Sequence, residues 1–267
     1  MKPVAIITGA SSGIGEALAY EAAKSGYDIC LAARSADKLQ LVKERCESMG
    51  AACLTVKADV SIESDCQQLV NETINRFGGL NLLINNAGIS MRALFNDCDT
   101  DVIRKVMDTN FYGTVYCTKY ALPHLLKSKG SVVGVSSIAG VKGLPGRTGY
   151  SASKFAMHGF LESLRIENLK TGLHVLVACP GYTASNIRNS ALNNQGNSQA
   201  ESPYNESKLM PAETVAEAIF KAIRQRKHYL YLTLQGKLTV FLSKFFSGLL
   251  DKLVYNTVAK EKDSPFK

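Results

Sequence analysis

Val4-Ala5-Ile6-Ile7-Thr8 runs straight into Gly9-Ala10-Ser11-Ser12-Gly13-Ile14-Gly15, and helix-period spacing follows at once. A short apolar run without charged interruption reads as a strand buried on both faces. The glycines admit positive φ and let a backbone come close to a bound group, while the first helical turn presents N–H groups that have no carbonyl partner inside the helix. Together these features form a cradle for a pyrophosphate. The spacing is G-x3-G-x-G rather than the G-x-G-x-x-G of the general dinucleotide fingerprint, but the strand–turn–helix context is the same.

Apolar runs of strand length recur at 28–33, 53–57, 80–85, 131–136, 174–178 and 229–234, with amphipathic stretches such as 15–25, 38–49 and 62–77 between them. In the last, Ile62, Cys66, Leu69, Val70, Thr73, Ile74 and Phe77 share one helical face. This alternation predicts an α/β fold, a Rossmann-type doubly wound parallel sheet of about seven strands with helices on both faces. The 267 residues suit a single such domain, assigned to 1–236. Two regions break the rhythm. Residues 182–210 are polar for much of their length and read as a substrate lid or a disordered insertion. Residues 237–267 read as an added extension.

The formal charge of +8 is unevenly placed: 1–218 hold 21 basic against 20 acidic residues, and 219–267 hold 10 against 3. A nucleic-acid-binding domain carries its basic face in the main body, so no nucleic-acid partner is expected. The seven cysteines have no Cys-x-x-Cys or metal-ligand spacing, which predicts reduced core thiols and no metal site. His124, His158, His174 and His228 have no partner at ligand or triad spacing, and no G-x-S-x-G elbow supports a Ser–His–Asp hydrolase. No apolar run is long enough to cross a membrane, and the N-terminus has too few apolar residues for a signal peptide, so a cytoplasmic location is expected.

The second strand candidate ends Leu31-Ala32-Ala33-Arg34-Ser35. An acidic side chain there would accept the ribose 2′-OH of NAD; Ala33 occupies the position and Arg34 follows. A guanidinium suits a 2′-phosphate, so the expected cofactor is NADP(H). Lys38 either adds to that phosphate site or is a solvated helix lysine.

With these features stand Asn85-Asn86-Ala87-Gly88, Ser137, Tyr150-Ser151-Ala152-Ser153-Lys154 and Pro180-Gly181. In this order and spacing the chain resembles the short-chain dehydrogenase/reductase family in its compact single-domain form. The resemblance implies a catalytic set of Asn110, Ser137, Tyr150 and Lys154, with Asn110 positioning a water that runs to the lysine. It also implies a cofactor site made by Gly9, Ser11, Ser12, Gly13, Ile14, Gly15, Arg34, Asp59, Val60, Asn86, Ala87 and Gly88, completed by Tyr150, Lys154, Pro180, Gly181 and Ser185. Asp59 would contact the adenine, or else cap the following helix. Ser185 stands where the family often has a threonine that contacts the carboxamide, and it keeps the hydroxyl.

The residues themselves suggest the chemistry. Tyr150 and Lys154 are four apart on one helix face. A free phenol titrates near ~10, and a neighbouring cation favours the phenolate and lowers that value toward the working range. Ser137 follows a strand at the carboxyl edge of the sheet, where ligands bind; Ser136 is the adjacent alternative, and the spacing of 13 residues to Tyr150 favours Ser137. Hydride would come from the nicotinamide. The expected activity is thus interconversion of a ketone and a secondary alcohol.

The substrate end is less informative. Tyr182, Ile187, Ala191, Leu192, Tyr204, Leu209 and Met210 of the lid, with the mostly apolar 89–95, suggest an oily pocket for a lipid-like, steroid-like or 3-oxoacyl compound. Arg188 and Lys208 are the cations that the lid offers to an anionic group. Leu238, Phe241, Leu242, Phe245, Phe246, Leu249, Leu250 and Leu253 form one continuous apolar helix face in the extension. That face could cover the site or core of its own subunit, pack in a homodimer or homotetramer, or lie peripherally on an anionic membrane. Two rival functions remain, a 3-oxoacyl-carrier-protein-type reductase and a non-catalytic NADP(H)-binding regulator. An eroded catalytic set would favour the regulator, and this set is intact.

Overall fold

In a computed structural model, which describes residues 2–199, 209–261, 264 and 266, the apolar runs assemble into one parallel sheet. Its strands are β1 (Val4–Thr8), β2 (Asp28–Ala33), β3 (Cys53–Lys57), β4 (Leu82–Asn85), β5 (Ser131–Val135), β6 (His174–Cys179) and β7 (Tyr229–Tyr231), in the order β3-β2-β1-β4-β5-β6-β7. Both faces are buried, which is why hydrophobicity does not alternate along a strand. Ala5 and Ile7 pack under α1 (Gly13–Lys24), α2 (Ala36–Ser48) and α7 (Ala212–Arg224). Val4 and Ile6 pack under α3 (Glu63–Phe77), α5 (Gly113–Ser128) and α6 (Thr148–Glu167). The fold is the expected Rossmann-type α/β sandwich.

Ala5 pairs with Ile29 of β2 on one side and Leu82 of β4 on the other. The chain therefore runs outward from β1 to β3 and then crosses back to β4. Connections leaving β1 and β4 diverge, and a crevice opens beyond the carboxyl ends of these strands. α4 (Thr100–Met107) packs on α6 near that edge, joined to α5 by a widened turn over Asp108–Tyr112.

Some ends differ from expectation for local reasons. β7 stops at Tyr231 because Thr233 caps the next helix, its Oγ1 accepting from Gly236 N–H at 2.9 Å. The continuous apolar helix expected after 236 is instead two, α8 (Leu234–Phe245) and α9 (Ser247–Ala259), broken at Phe246 where φ is −136° and ψ 49°. Folding back at Phe246 returns Leu250 and Val258 to buried positions.

The lid begins tied down rather than loose. Leu192 N–H donates to Ser90 O at 2.9 Å and Arg92 N–H to Leu192 O at 2.8 Å, fastening the lid to the segment after β4. Tyr204 and Lys208 of the lid lie outside the described residues. All seven cysteines are free, and every one except Cys98 is buried.

Candidate active site

The glycine turn is closed to side chains. Gly9 and Gly13 hold φ of 65° and 57°. A Cβ on Gly15 would stand 2.1 Å from Gly9 O and 2.5 Å from Asn86 Nδ2, and one on Gly9 would stand 2.8 Å from Ala87 Cα. Contacts this short allow only hydrogen. Asn86 Nδ2 donates to Thr8 O at 2.9 Å and Gly9 O at 3.2 Å, while Thr8 Oγ1 accepts from the N–H groups of Asn86 and Ala87, both at 3.0 Å. These bonds lock the ends of β1 and β4 together. Ser12 precedes α1 without capping it through its side chain, so the helix N-terminus keeps its anion-binding character.

Above the turn lies a cleft of about 1250 Å³. Every residue expected to hold cofactor lines it: Gly9, Ser11, Ser12, Gly13, Ile14, Gly15, Arg34, Asp59, Val60, Asn86, Ala87, Gly88, Tyr150, Lys154, Pro180, Gly181 and Ser185. Arg34 is exposed at the end of β2, whereas Lys38 is exposed on α2 and does not line the cleft. Asp59 faces the cleft and also caps locally, its Oδ1 accepting from Ser61 N–H at 3.0 Å and Ser61 Oγ at 2.7 Å. A dinucleotide therefore fits the chain's own residues, with the phosphates at the side-chain-free turn.

At the far end the fold brings Ser137, Tyr150 and Lys154 together. Ser137 Oγ accepts from Ala139 N–H at 3.1 Å, and Ser137 and Tyr150 line the same end of the cleft, where the serine hydroxyl favours the phenolate. Ser136, the adjacent alternative, is turned away, its Oγ 2.7 Å from His158 Nε2. Lys154 is 3% exposed, and its Nζ donates to Val135 O at 2.9 Å and stands 5.8 Å from the Tyr150 ring centroid. Asn110 is buried in the widened turn and is fully engaged. Its Oδ1 accepts from Ile89 N–H at 2.8 Å, and its Nδ2 donates to Ile89 O and Ser153 Oγ, both at 2.9 Å. Its side chain thus staples the segment after β4 to α6. Gly88 fits between this staple and the lysine; a Cβ there would be 3.1 Å from Asn110 Oδ1 and 3.6 Å from Lys154 Nζ.

The electrostatics depart from the expectation that Lys154 lowers the phenol. Burial raises the Tyr150 phenol above its ordinary value, and the opposing influences are the Ser137 hydroxyl and the charges of Arg147 and Arg188. Burial also pushes the Lys154 ammonium down to about 8. The lysine is turned to a backbone carbonyl, and its charge is not among the influences on the phenol. His158, one turn beyond Lys154, is pushed down to about 4 by burial and by the Lys154 charge, and is neutral at ordinary pH.

The substrate end is closed by parts distant in sequence. Ile89, Leu144, Leu192, Leu242, Leu250 and Val254 line it, the last three from α8 and α9. The extension thus folds over its own subunit's cleft, one of the three arrangements its sequence allowed. Beyond α9 the side chain of Glu261 is 2% exposed and paired with Arg92 at 3.3 Å and Arg147 at 3.0 Å. Sequence reasoning missed Arg92, Arg147 and Glu261. Arg147 had a readable signal, standing one turn before Tyr150. The other two are joined only by the fold.

A family model described as short chain dehydrogenase matches residues 3–196. The chain belongs to the short chain dehydrogenase family. Over 181 residues, 67% of its length, it is 48% identical to "11-beta-hydroxysteroid dehydrogenase-like 4A" of Arabidopsis thaliana, and the match spans 60% of that protein. It therefore spans less than two thirds of the length of that curated relative. The crystal structure of a short chain dehydrogenase/reductase from Burkholderia phymatum in complex with NAD superposes with a TM-score of 0.82 at 25% identity, covering 93% of this chain and 95% of that one. An alcohol dehydrogenase from the archaeon Thermococcus sibiricus, complexed with 5-hydroxy-NADP, is alike in fold, with a TM-score of 0.76 at 23% identity over 85% of this chain and 93% of that one. The family consists of oxidoreductases that act at CH–OH groups with a nicotinamide cofactor, and this member keeps the sheet and the cradle that such chemistry needs. Among the described residues no helix is long and apolar enough to cross a membrane.

The depressed lysine carries a stability cost. Below pH 8 both folded and unfolded chains hold the Lys154 proton, so the penalty of burying the charge is fully present; it is relieved as pH rises from about 8 toward the unfolded value near 10.5. Lys154→Met is expected to stabilise the fold by about 2 kcal/mol at neutral pH, an advantage that shrinks in alkali. Urea midpoints of the two proteins at neutral pH and at about pH 10 check it.

Proposed function

We propose that this family member is an NADP(H)-dependent oxidoreductase that interconverts a ketone and a secondary alcohol on a hydrophobic substrate, lipid-like, steroid-like or 3-oxoacyl-like. The observation that carries the reading is the meeting of Ser137, Tyr150 and Lys154 at the carboxyl edge of the sheet, over one cleft shared with the glycine cradle. When bound, the nicotinamide supplies or accepts the hydride.

The chain's residues perform the proton chemistry. Ser137 Oγ and the Tyr150 phenol converge on the place for a substrate oxygen, so Ser137 orients it and Tyr150 gives it a proton on reduction or takes one on oxidation. A phenol held protonated by burial is ready to donate, and the Ser137 hydroxyl with the Arg147 and Arg188 charges supports the phenolate left behind. Lys154, depressed to about 8, can exchange a proton near neutrality and is the group through which the phenol recovers its own. Asn110 fixes the wall behind this pair through Ile89 and Ser153.

At the other end, Gly9, Ser11, Ser12, Gly13, Ile14 and Gly15 would hold the pyrophosphate, Asp59, Val60, Asn86, Ala87 and Gly88 the adenosine half, and Pro180, Gly181 and Ser185 the nicotinamide half. Arg34 would take the 2′-phosphate. A substrate without charge suits the aliphatic wall from α8 and α9, and the steroid-dehydrogenase name of the Arabidopsis relative agrees with this class. The outer faces of α8 and α9 leave Phe241, Phe245, Phe246 and Leu249 more than half exposed beside Lys237 and Lys244. This favours a peripheral contact with an anionic membrane, from which an oily substrate would enter.

Tyr150→Phe is expected to cut NADPH-dependent turnover of a carbonyl panel by at least about a thousand-fold while leaving NADPH affinity within a few-fold, since it removes the proton donor and keeps the ring. Unchanged turnover would refute the assignment. Arg34→Asp is expected to weaken NADPH by about ten-fold or more and to favour NADH, as judged by fluorescence titration of both. Phe241→Ser/Phe245→Ser is expected to lose co-sedimentation with anionic vesicles at low salt; wild-type protein that stays in the supernatant would remove the membrane contact.

A further inference from the structure

We propose that Glu261 is a positioning residue for this site: its carboxylate, buried between Arg92 and Arg147, latches the α8–α9 hairpin over the substrate end of the cleft and fixes the arginine beside Tyr150. The inference rests on the function proposed above for the cleft, and it adds a group beyond the residues assigned to that function.

The geometry is specific. Arg147 Nη2 donates to Glu261 Oε1 at 3.1 Å and to Oε2 at 3.0 Å, and Arg92 Nη2 donates to Oε2 at 3.3 Å. The three side chains are 2%, 11% and 12% exposed, in the order Glu261, Arg147, Arg92. A carboxylate is buried this deeply only where cations repay its lost hydration, and once paired it is costly to pull out. The cations come from the two segments that shape the substrate end, the one after β4 and the one entering α6. By contrast, the ion pair of α9 itself, Lys142 to Asp251 at 2.5 Å, has its carboxylate 65% exposed and is open to screening by salt. Glu261 therefore pins the hairpin at its far end, beyond the buried contacts of Leu250 and Val258.

The latch also reaches the chemistry. Tyr150 faces Lys154 from its own helix, Arg147 from the approach to that helix, Arg188 from the lid, Ser137 from the end of β5 and Cys179 from β6. Of these, Arg147 is held by a group from the extension. The carboxylate partly cancels the cation and holds it one turn ahead of the phenol.

Two variants separate the parts. Glu261→Gln is isosteric and removes the charge alone, leaving Arg147 uncompensated. The alkaline limb of ketone reduction should move down by about half a pH unit to one unit, with Glu261→Asp restoring it. Glu261→Ala should speed hydrogen–deuterium exchange in 234–259 by about ten-fold or more and raise KM for a hydrophobic ketone more than it lowers kcat, with NADPH affinity unchanged. Exchange in 234–259 unchanged by Glu261→Ala would overturn the latch, and an alkaline limb unmoved by Glu261→Gln would overturn the link to Tyr150, even if both variants melt earlier. Exchange is read without turnover, so it still decides the latch if wild-type protein reduces none of the carbonyls and the proposed function fails.

Discussion

Lys154 is an amine almost without solvent whose hydrogen-bond partner is a backbone carbonyl, and much of the site follows from keeping it there. Among the described residues it makes no ion pair, and burial is the largest influence on it, opposed by Cys179. For its Nζ to reach Val135 O, α6 must lie directly on β5. Gly134 makes room for that, since a Cβ there would stand 2.3 Å from Leu161 Cδ1 and 3.2 Å from Met157 Sδ. On the opposite side Gly88 lets the segment after β4 come close, and Asn110 ties that segment back to α6 through Ser153. The next polar group along the helix, His158, is neutral because it is itself buried and because a second cation so near would be unfavourable. Each of these features makes sense as support for one depressed ammonium under one phenol.

The chain order of strands and helices was legible because burial on both faces leaves an unambiguous signature, unbroken apolar runs between amphipathic stretches. The glycine turn was legible because its constraints are local: Gly15 must meet Gly9, six residues away, wherever the helix goes. Ser137 was distinguishable from Ser136 only by spacing to Tyr150, and the physical reason lies elsewhere, in the bond that turns Ser136 toward His158. Periodicity shows which face of a helix is apolar, but it carries no information about what that face meets. This is why the extension read as one helix. Its apolar stripe continues through Phe246, where the helix breaks, and beyond the break Leu250 and Val258 are buried.

The sign of the phenol's shift was misread for a related reason. Two residues four apart on a helix are neighbours, but neighbourhood does not fix where a flexible ammonium points. Lys154 points to β5, and the influences on Tyr150 are its own desolvation, then Ser137 and the arginines at 147 and 188. The excess positive charge of the last 49 residues likewise hid its most consequential member, which is an acid. Glu261 is one of 3 acidic residues there against 10 basic, and of the two among the described residues Asp251 is exposed and Glu261 is drawn deep into the fold.

A division of labour within the cleft follows from these distances along the chain. The cofactor end is made of turns whose partners lie within a strand–turn–helix unit or at the adjoining strand end, as with Thr8 and Asn86. Its chemistry can be read from short motifs and shared across many folds of the same design. The substrate end is made where the segment after β4, the entry to α6, the lid and the α8–α9 hairpin meet, and its decisive contact joins residues 114 and 169 positions apart. No short motif can encode such a contact. The cofactor cradle is therefore written locally and the wall of the far end globally, and the two meet at Arg147, which joins the extension to the approach of the Tyr150 helix.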